Sequence, residues 1–488
     1  MYVWSRKRTD SRQNAVLLRL WAAVLIAAYG AAVLLFYWLA GEQLHLRASR
    51  SNRDLPQADS GTVELTAGCT VEQYFTTRIQ RLEQIDIQWS AYYRSNAGCI
   101  QVELLDLRTG QVLLSRTFDA SAVPEGGFTT LTADTPLENI YEAPLLLRLT
   151  ADSQPGGGAS PLMNVQSGPE DWSLVLNGVP APGTLCMALS GTDYIWTGLH
   201  YWKFAGLGLA LLLLFLAVVY LRWRSGKRSC AVSVVEAMQK YQFLIRQLVA
   251  RDFKTKYKRS ILGVLWSFLN PLLLMCVQYF VFSNLFQSDI PNYAVYLILG
   301  IVFFNFFSEA CGMSLTSIVG NANLITKVYV PKYIYPLTKV ISSVVNLGIS
   351  LIPLLIVVLA TGVELRKSAA LAFYFLFCLM LFSLGVGLLL AASMVFFRDT
   401  QFLWGVLTMI WMYATPIFYP ESILAAKFKV ILQVNPLYHF LKNFRICILD
   451  GVSPEPVVYA QCALIALTML LVGAFVFHRF QDRFVLYL

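Results

Sequence analysis

The chain has 488 residues, of which 57% are hydrophobic and only 14% charged, with a mean hydropathy of +0.56. That balance excludes a soluble globular protein and predicts a polytopic membrane protein. The net charge of +9 does not call for nucleic acid: between Arg222 and Arg259 eleven basic residues meet two acidic ones beside apolar runs, an asymmetry that membrane topology explains.

Residues 1–40 read as a short basic tail and a first transmembrane anchor. Arg6, Lys7, Arg8, Arg12 and Arg19 precede an apolar run, Leu20 to Ala40, long enough to cross a bilayer. A cleaved signal peptide would have a shorter apolar core and a sharper cleavage site than Ala40-Gly41, so a retained anchor is expected, its basic end cytoplasmic. From 41 to 197 the sequence period changes to two. Ile100, Val102 and Leu104 alternate with Gln101 and Glu103, Arg108 to Gln111 turns the chain, and Val112 to Phe118 returns it, which predicts a hairpin. Leu145, Leu147 and Leu149 alternate with Leu146 and Arg148, and Leu185 to Leu189 predicts another strand. Turn residues recur at 124–127, 155–158 and 180–183. The expectation is an extracytoplasmic β-sandwich-like domain. Its Cys69 and Cys99 are open either to disulfide pairing or to service as packing thiols. Trp89, Tyr92, Tyr93, Tyr141, Trp172, Tyr194 and Trp196 are open to sugar stacking or to ordinary core and interface roles.

A second span, 198–222, brings the chain back to the cytoplasmic side, with Tyr201 and Trp202 at one interface and Arg222, Trp223 and Arg224 at the other. In 223–260 a linker leads to an amphipathic interface helix. Tyr241, Leu244, Ile245, Leu248 and Val249 share one face, while Arg246, Arg251, Lys254 and Lys258 fall mostly on the other, so the apolar side is expected in the headgroup layer of the membrane lipid. Asp252 sits near the apolar stripe, with Lys256 one turn on to neutralise it. The order Arg251-Asp252-Phe253-Lys254, Lys256-Tyr257-Lys258, Ser260, Leu262-Gly263, Leu265-Trp266 and Asn270-Pro271 resembles the start of ABC-type polysaccharide export permeases. These are membrane subunits that export O-antigen, capsule or teichoic acid, and the resemblance runs from about Glu236 to Leu488.

Residues 261–488 are accordingly read as a six-span permease domain, which makes eight spans in all. The six are expected at about 262–286, 293–318, 335–361, 369–397, 402–417 and 457–477, with both termini cytoplasmic. Between the second and third, Asn321 to Pro331 predicts a short helix with Leu324, Ile325 and Val328 on one side, stopped by Pro331. This segment resembles the family's coupling helix. The resemblance makes Arg251, Asp252, Lys256, Asn323, Leu324, Ile325, Lys327, Val328 and Pro331 the ATPase-coupling residues. Phe397-Arg398-Asp399-Thr400 is a further match, an inner turn read as structural support. From Trp411 to Arg445 the chain is too apolar for a free loop and too broken by proline for one helix, which is the signature of re-entrant segments. In the family this region forms gate helices. The gate or channel residues so implied are Trp411, Tyr413, Pro416, Phe418, Tyr419, Pro420, Asn435, Pro436 and Arg445, with Tyr279 opposite them. Interfacial anchoring is the other role open to each ring.

The sequence carries no catalytic machinery of its own. Gly226-Lys227 is followed by Arg228 and lacks the upstream glycine of a phosphate loop, the four histidines are scattered, and no Cys/His spacing suits a metal. The resemblance therefore implies a permease that is not an enzyme and holds no cofactor, with ATP and Mg on a partner ATPase. It implies a homodimer with two ATPase copies in a bacterial cytoplasmic membrane, exporting a lipid-linked polysaccharide or teichoic-acid-like polymer. Two other classes stay open: an ABC exporter of a small molecule or lipid, and a membrane-anchored glycan receptor or scaffold. The anchor, outer domain and extra span before about 236 depart from the simplest family members, which loosens any inference about the polymer.

Overall fold

The computed structural model describes residues 2–51, 58–165, 171–225, 239–257, 262–263, 265–286, 292–327, 330–423 and 429–487. They divide into two units, Leu44–Leu199 on one side and Met1–Gln43 with His200–Leu488 on the other.

Two antiparallel sheets make up Leu44–Leu199. One runs Leu46–Ser51, Met187–Tyr194, Arg81–Ser90, Ser160–Asn164 and Thr184–Leu185 from edge to edge, with Phe128–Leu137 also on Arg81–Ser90 and Ser60–Gly61 on Ser160–Asn164. The other runs Val179–Ala181, Ser173–Leu176, Thr70–Phe75, Leu145–Ala151, Cys99–Asp106 and Gln111–Asp119. Period-two alternation sets which face goes inward. Ile100, Val102 and Leu104 are buried while Gln101 is exposed, and Leu145, Leu147 and Leu149 join Trp89 in the same core. One buried amide spans that core. Gln73 donates from Nε2 to the carbonyls of Tyr74 (3.0 Å) and Ser173 (3.1 Å) and accepts from the Leu185 amide at 2.8 Å, so its polar atoms are matched across both sheets. Cys69 and Cys99 are both free thiols, so the pairing held open for them is not made. Cys186 is buried, which pushes its thiol up to about 11. Of the aromatics, Trp89 and Trp172 are core residues, while Tyr92, Tyr93, Tyr141, Tyr194 and Trp196 are exposed.

The second unit is helical. Its elements are α1 (Tyr2–Ala40), α2 (Tyr201–Arg224), α3 (Gln242–Tyr257), α4 (Leu265–Phe286), α5 (Tyr293–Leu315), α6 (Ala322–Lys327), α7 (Ile334–Ala360), α8 (Ala372–Phe396), α9 (Thr400–Tyr413), α10 (Lys429–Val434), α11 (Pro436–Arg445) and α12 (Pro456–Phe480). α1 and α2 are joined by hydrogen bonds from Tyr29 to the Ala205 carbonyl and from Tyr201 to the Val33 carbonyl, each 2.7 Å. α8 and α12 run the same way, with Tyr374 against Tyr459 at one end (5.2 Å) and Phe396 against Phe480 at the other (5.7 Å). Between those ends the backbones touch. A Cβ on Gly385 would lie 2.5 Å from the Met469 backbone, and one on Gly473 would strike the Gly385 carbonyl.

Seven described helices are long and apolar enough to cross a membrane, not the eight single-helix spans expected. The difference lies at 402–417. α9 has 14 residues, about 21 Å of helix against about 30 Å of hydrocarbon. Yet α8 and α12, consecutive long helices of equal direction, demand a crossing between them. It is completed by non-helical chain: past Ala414 the backbone continues to Phe418, whose carbonyl accepts from Tyr293 at the start of α5 (2.7 Å).

Candidate functional site

Polar residues gather at the two ends of the helical unit. At the end that holds α3 and α6, here the basic end, α3 buries Ile245 and Leu248 in a cluster with Ile318, Ile325, Ile334, Tyr335, Leu388, Phe477 and Phe484. The apolar stripe thus lies on protein, where a headgroup layer had been expected. An amphipathic period selects a surface helix and leaves open what the surface is. The Asp252–Lys256 pair is also replaced. Asp252 is bound by Lys339 of α7 at 2.9 Å, and Lys256 by Glu309 of α5 at 2.8 Å. Arg251 donates to the Asn321 side chain, at the start of α6, at 3.1 Å. Within little more than one turn of α3, three charged side chains therefore hold three different parts of the bundle.

Within the coupling segment, Ile325 is buried and Leu324 half-buried against that cluster, while Asn323 and Lys327 are exposed. The ridge of Leu324 and Ile325 faces inward, so the outward surface of α6 is its polar one. Pro331 is half-buried beyond it; Val328 and the basic-face Lys258 lie outside the described residues.

Two adjoining cavities open beside these contacts. One of about 600 Å³ is lined by Arg251, Asp252, Lys256, Glu309, Asn321, Lys339 and Asn346, among others. The second, about 400 Å³, is lined by Lys256, Trp266, Ser267, Asn270, Asn305, Ser308, Glu309, Asn346 and Ser350, so Lys256, Glu309 and Asn346 border both. Glu309 is the one charged residue of α5 and also accepts from the Asn346 amide at 2.5 Å. Asn305, Ser308, Glu309, Asn346 and Ser350 escaped the sequence reading, though a carboxylate and amides inside apolar runs were a legible signal.

At the opposite, aromatic end, the broken segment closes around one cation. Arg445 is 6% exposed. Its Nη1 donates to the Pro416 carbonyl (2.6 Å), its Nη2 to those of Ile417 (2.7 Å) and Tyr296 (2.9 Å), and its guanidinium lies 3.4 Å from the Tyr296 ring centroid. The helix break at Pro416 frees carbonyls that cannot be left bare at this depth, and the arginine fork meets them. Gly300 leaves the room: a Cβ there would sit 2.6 Å from Nη2. Asn435 works similarly. It caps α11 by accepting from the Leu437 amide (3.0 Å), with Pro436 in the first turn, and its side chain also bonds Trp411 (2.8 Å) and Thr415 (2.9 Å).

The gate rings take unequal positions. Tyr413 is exposed, and Tyr419 donates to its carbonyl at 2.6 Å. Phe418 is buried, stacked on Phe282 at 5.7 Å, and Trp411 packs on Phe307 at 5.1 Å. Tyr279 reaches this group through Tyr293, 6.1 Å away. Pro416, Pro420, Arg445, Tyr296, Glu421 and Lys442 border a cavity of about 460 Å³. Among the described residues no cluster of His, Cys, Asp and Glu is arranged to hold a metal ion.

Residues 243–449 match the family described as ABC-2 type transporter. The chain is 30% identical over 253 residues to the O-antigen export system permease protein RfbA of Klebsiella pneumoniae, covering 49% of this chain and 93% of that one. It is 27% identical over 255 residues to the RfbA of Myxococcus xanthus, covering 52% of this chain and 98% of that one. It is also 26% identical over 208 residues to the capsule polysaccharide export inner-membrane protein CtrC of Neisseria meningitidis serogroup B, covering 41% and 77%. These relatives are nearly or largely spanned by about half of this chain.

Proposed function

The chain belongs to the ABC-2 type transporters, among the permeases of polysaccharide exporters, and from that premise we propose that it carries a lipid-linked polysaccharide or related polymer outward on ATP hydrolysed by a separate subunit. Two copies pair to enclose the path, and two ATPase copies dock at the basic end. The sandwich Leu44–Leu199 lies on the outer face, and both termini are cytoplasmic. The supporting observation is the set of polar ties from α3: Arg251 to Asn321, Asp252 to Lys339 and Lys256 to Glu309. A push on the α3–α6 surface from an ATPase is thereby delivered to α5 and α7 at once. The exposed side chains of α6, Asn323 and Lys327, form the docking face, while Ile325 anchors the segment from behind. ATP and Mg are bound by the partner, and this chain transmits their work without chemistry of its own. At the aromatic end Tyr413 and Tyr419 offer ring faces on which sugar C–H surfaces can slide.

The test is export itself. A strain lacking this chain should lose surface polymer and regain it from a plasmid copy. Reversing charge with Lys327→Glu and Asn323→Asp should reduce copurification of the ATPase about tenfold while leaving the permease's thermal unfolding unchanged. Surface polymer that persists without the chain, or an ATPase that copurifies equally with the double variant, overturns the reading.

A further inference from the structure

α4, α5 and α7 are apolar helices, yet where they approach each other near the basic end each turns amides, hydroxyls or charge toward the same space. α4 contributes Ser267 and Asn270, α5 contributes Asn305, Ser308 and Glu309, and α7 contributes Asn346 and Ser350. Glu309 stands six residues before the end of α5, about 9 Å up the helix, well inside the apolar span. Polar groups at such depth are expensive and mark a path or a site unless they pair with each other. Some do: Glu309 is matched by Lys256 and Asn346. Among the described residues the side-chain amides of Asn305, half-buried, and Asn270, exposed, make no hydrogen bond to protein, and both border the 400 Å³ cavity. A network that served only to hold helices together would close on itself, whereas this one leaves the half-buried Asn305 amide unmatched beside open volume, with the exposed Asn270 on the same cavity.

The adjoining 600 Å³ cavity has a different character. Arg251, Lys256 and Lys339 face Asp252 and Glu309 there, an excess of one positive charge. Amides, hydroxyls and the half-exposed indole of Trp266 suit a pyranose ring, with hydrogen bonds around its edge and a flat face for its C–H surface. The neighbouring cations suit a phosphate. We propose that the two cavities form one receptor site for a glycosyl phosphate borne on a lipid, with the sugar among Asn270, Asn305 and Asn346 and the phosphate toward Arg251 and Lys256. The inference rests on the export reading and specifies where the head of the cargo is first held.

The experiment uses the full chain with its ATPase in phosphatidylcholine nanodiscs. Asn305→Cys is labelled with a water-soluble maleimide and followed by mass spectrometry of its peptide, with the exposed Cys99 as internal reference. The probe is farnesyl diphosphoryl N-acetylglucosamine; the comparison arms are N-acetylglucosamine 1-phosphate and phosphatidylglycerol. The lipid-borne probe should slow labelling at 305 and not at Cys99, and Asn346→Leu should raise the concentration needed for protection about tenfold, as expected for one buried hydrogen-bonding group. Protection by phosphatidylglycerol equal to that by the probe makes this an ordinary lipid site and overturns the proposal, as does equal protection by the free sugar phosphate. If 305 stays unprotected while the probe still stimulates ATP hydrolysis, the site falls and the export reading stands. If no arm protects and none alters hydrolysis, both fall.

Discussion

Both units of this chain bury apolar side chains, but they differ in what they leave outside and in the polar groups they take in. In the sandwich the interior is Ile100, Val102, Leu104, Leu145, Leu147 and Leu149, and most charge is turned out. In the helical unit Leu355, Ile356 and Leu359 of α7 are exposed while Asn346 of the same helix is buried, and so is Arg445. Water drives the first arrangement; in the second the surrounding solvent is hydrocarbon, and apolar contact with it gives no reason to fold inward. The lesson is that a buried side chain stabilises each unit by a different mechanism, so the same kind of substitution should not have the same consequence in both.

The largest expected effect breaks the polar side of that comparison. Arg445→Met leaves the carbonyls of Pro416, Ile417 and Tyr296 without their donor, and loss of a buried, hydrogen-bonded cation costs about 3–5 kcal/mol. Thermal unfolding of the purified permease should move down accordingly. Arg445→Lys should recover little, because an ammonium cannot reproduce the fork. An unfolding temperature unchanged in both variants would remove Arg445 from its role as the pin of the broken segment.

Next comes the apolar side. Leu147→Ala in the sandwich should cost about 3 kcal/mol in the unfolding of a 44–199 fragment, whose circular dichroism should be that of a β protein. The same truncation at Leu359, which is 63% exposed, should change the intact permease by less than about 0.5 kcal/mol. Equal costs would mean that the α7 surface is covered by protein and does not face lipid. A third variant sharpens the account of the helical unit. Gly473→Val inserts atoms where the Gly385 carbonyl already sits and should cost about 1–3 kcal/mol, read as a lower unfolding temperature of the detergent-purified chain. The smallest effect concerns pH. Hydrogen bonds from Arg108, through its side chain and its amide, hold the Asp106 carboxyl below the usual carboxylate range. Its folded value is depressed, so the stability it contributes is present above the ordinary carboxylate value and lost as pH falls through the lower one. Asp106→Asn should flatten the acid limb of the fragment's stability profile without moving its neutral plateau; an acid limb of unchanged slope would sever the link.

How much could be read beforehand follows the same division. The hairpin at Cys99–Asp106 was legible because a strand with one face in water must alternate, and Gln101 and Glu103 recorded that need directly. No such alternation runs along α5 or α8, whose few polar residues are set in otherwise apolar sequence, so only their spacing and length could be inferred. The broken segment was legible from Pro416, Pro420 and Pro436, since proline forbids a continuous helix whatever surrounds it. Its clamp was not: nothing local to Arg445 or Gly300 announces that two residues 145 apart share one space. The inward turn of Ile325 and the exchange of Asp252's partner from Lys256 to Lys339 were hidden for the same reason. Local periodicity ranks faces, and tertiary contacts decide what each face meets.

The sandwich enters the chain through Leu46 and leaves it through Tyr194, and those two residues are register partners on adjacent antiparallel strands. Its ends are therefore about 5 Å apart, no wider than a hairpin. The helices that carry it are likewise already joined to each other, Tyr37 lying 5.1 Å from Trp202. The module thus behaves as an interchangeable cartridge. Replaced by a turn of a few residues, it would leave α1 and α2 with the same neighbours, and a different domain with adjacent ends could be plugged in at the same point. Because closing a loop grows costlier only with the logarithm of its length, gaining or shedding such a cartridge is a small step for the chain. Exporters that share one engine can in this way diversify the domain they carry between their first two helices.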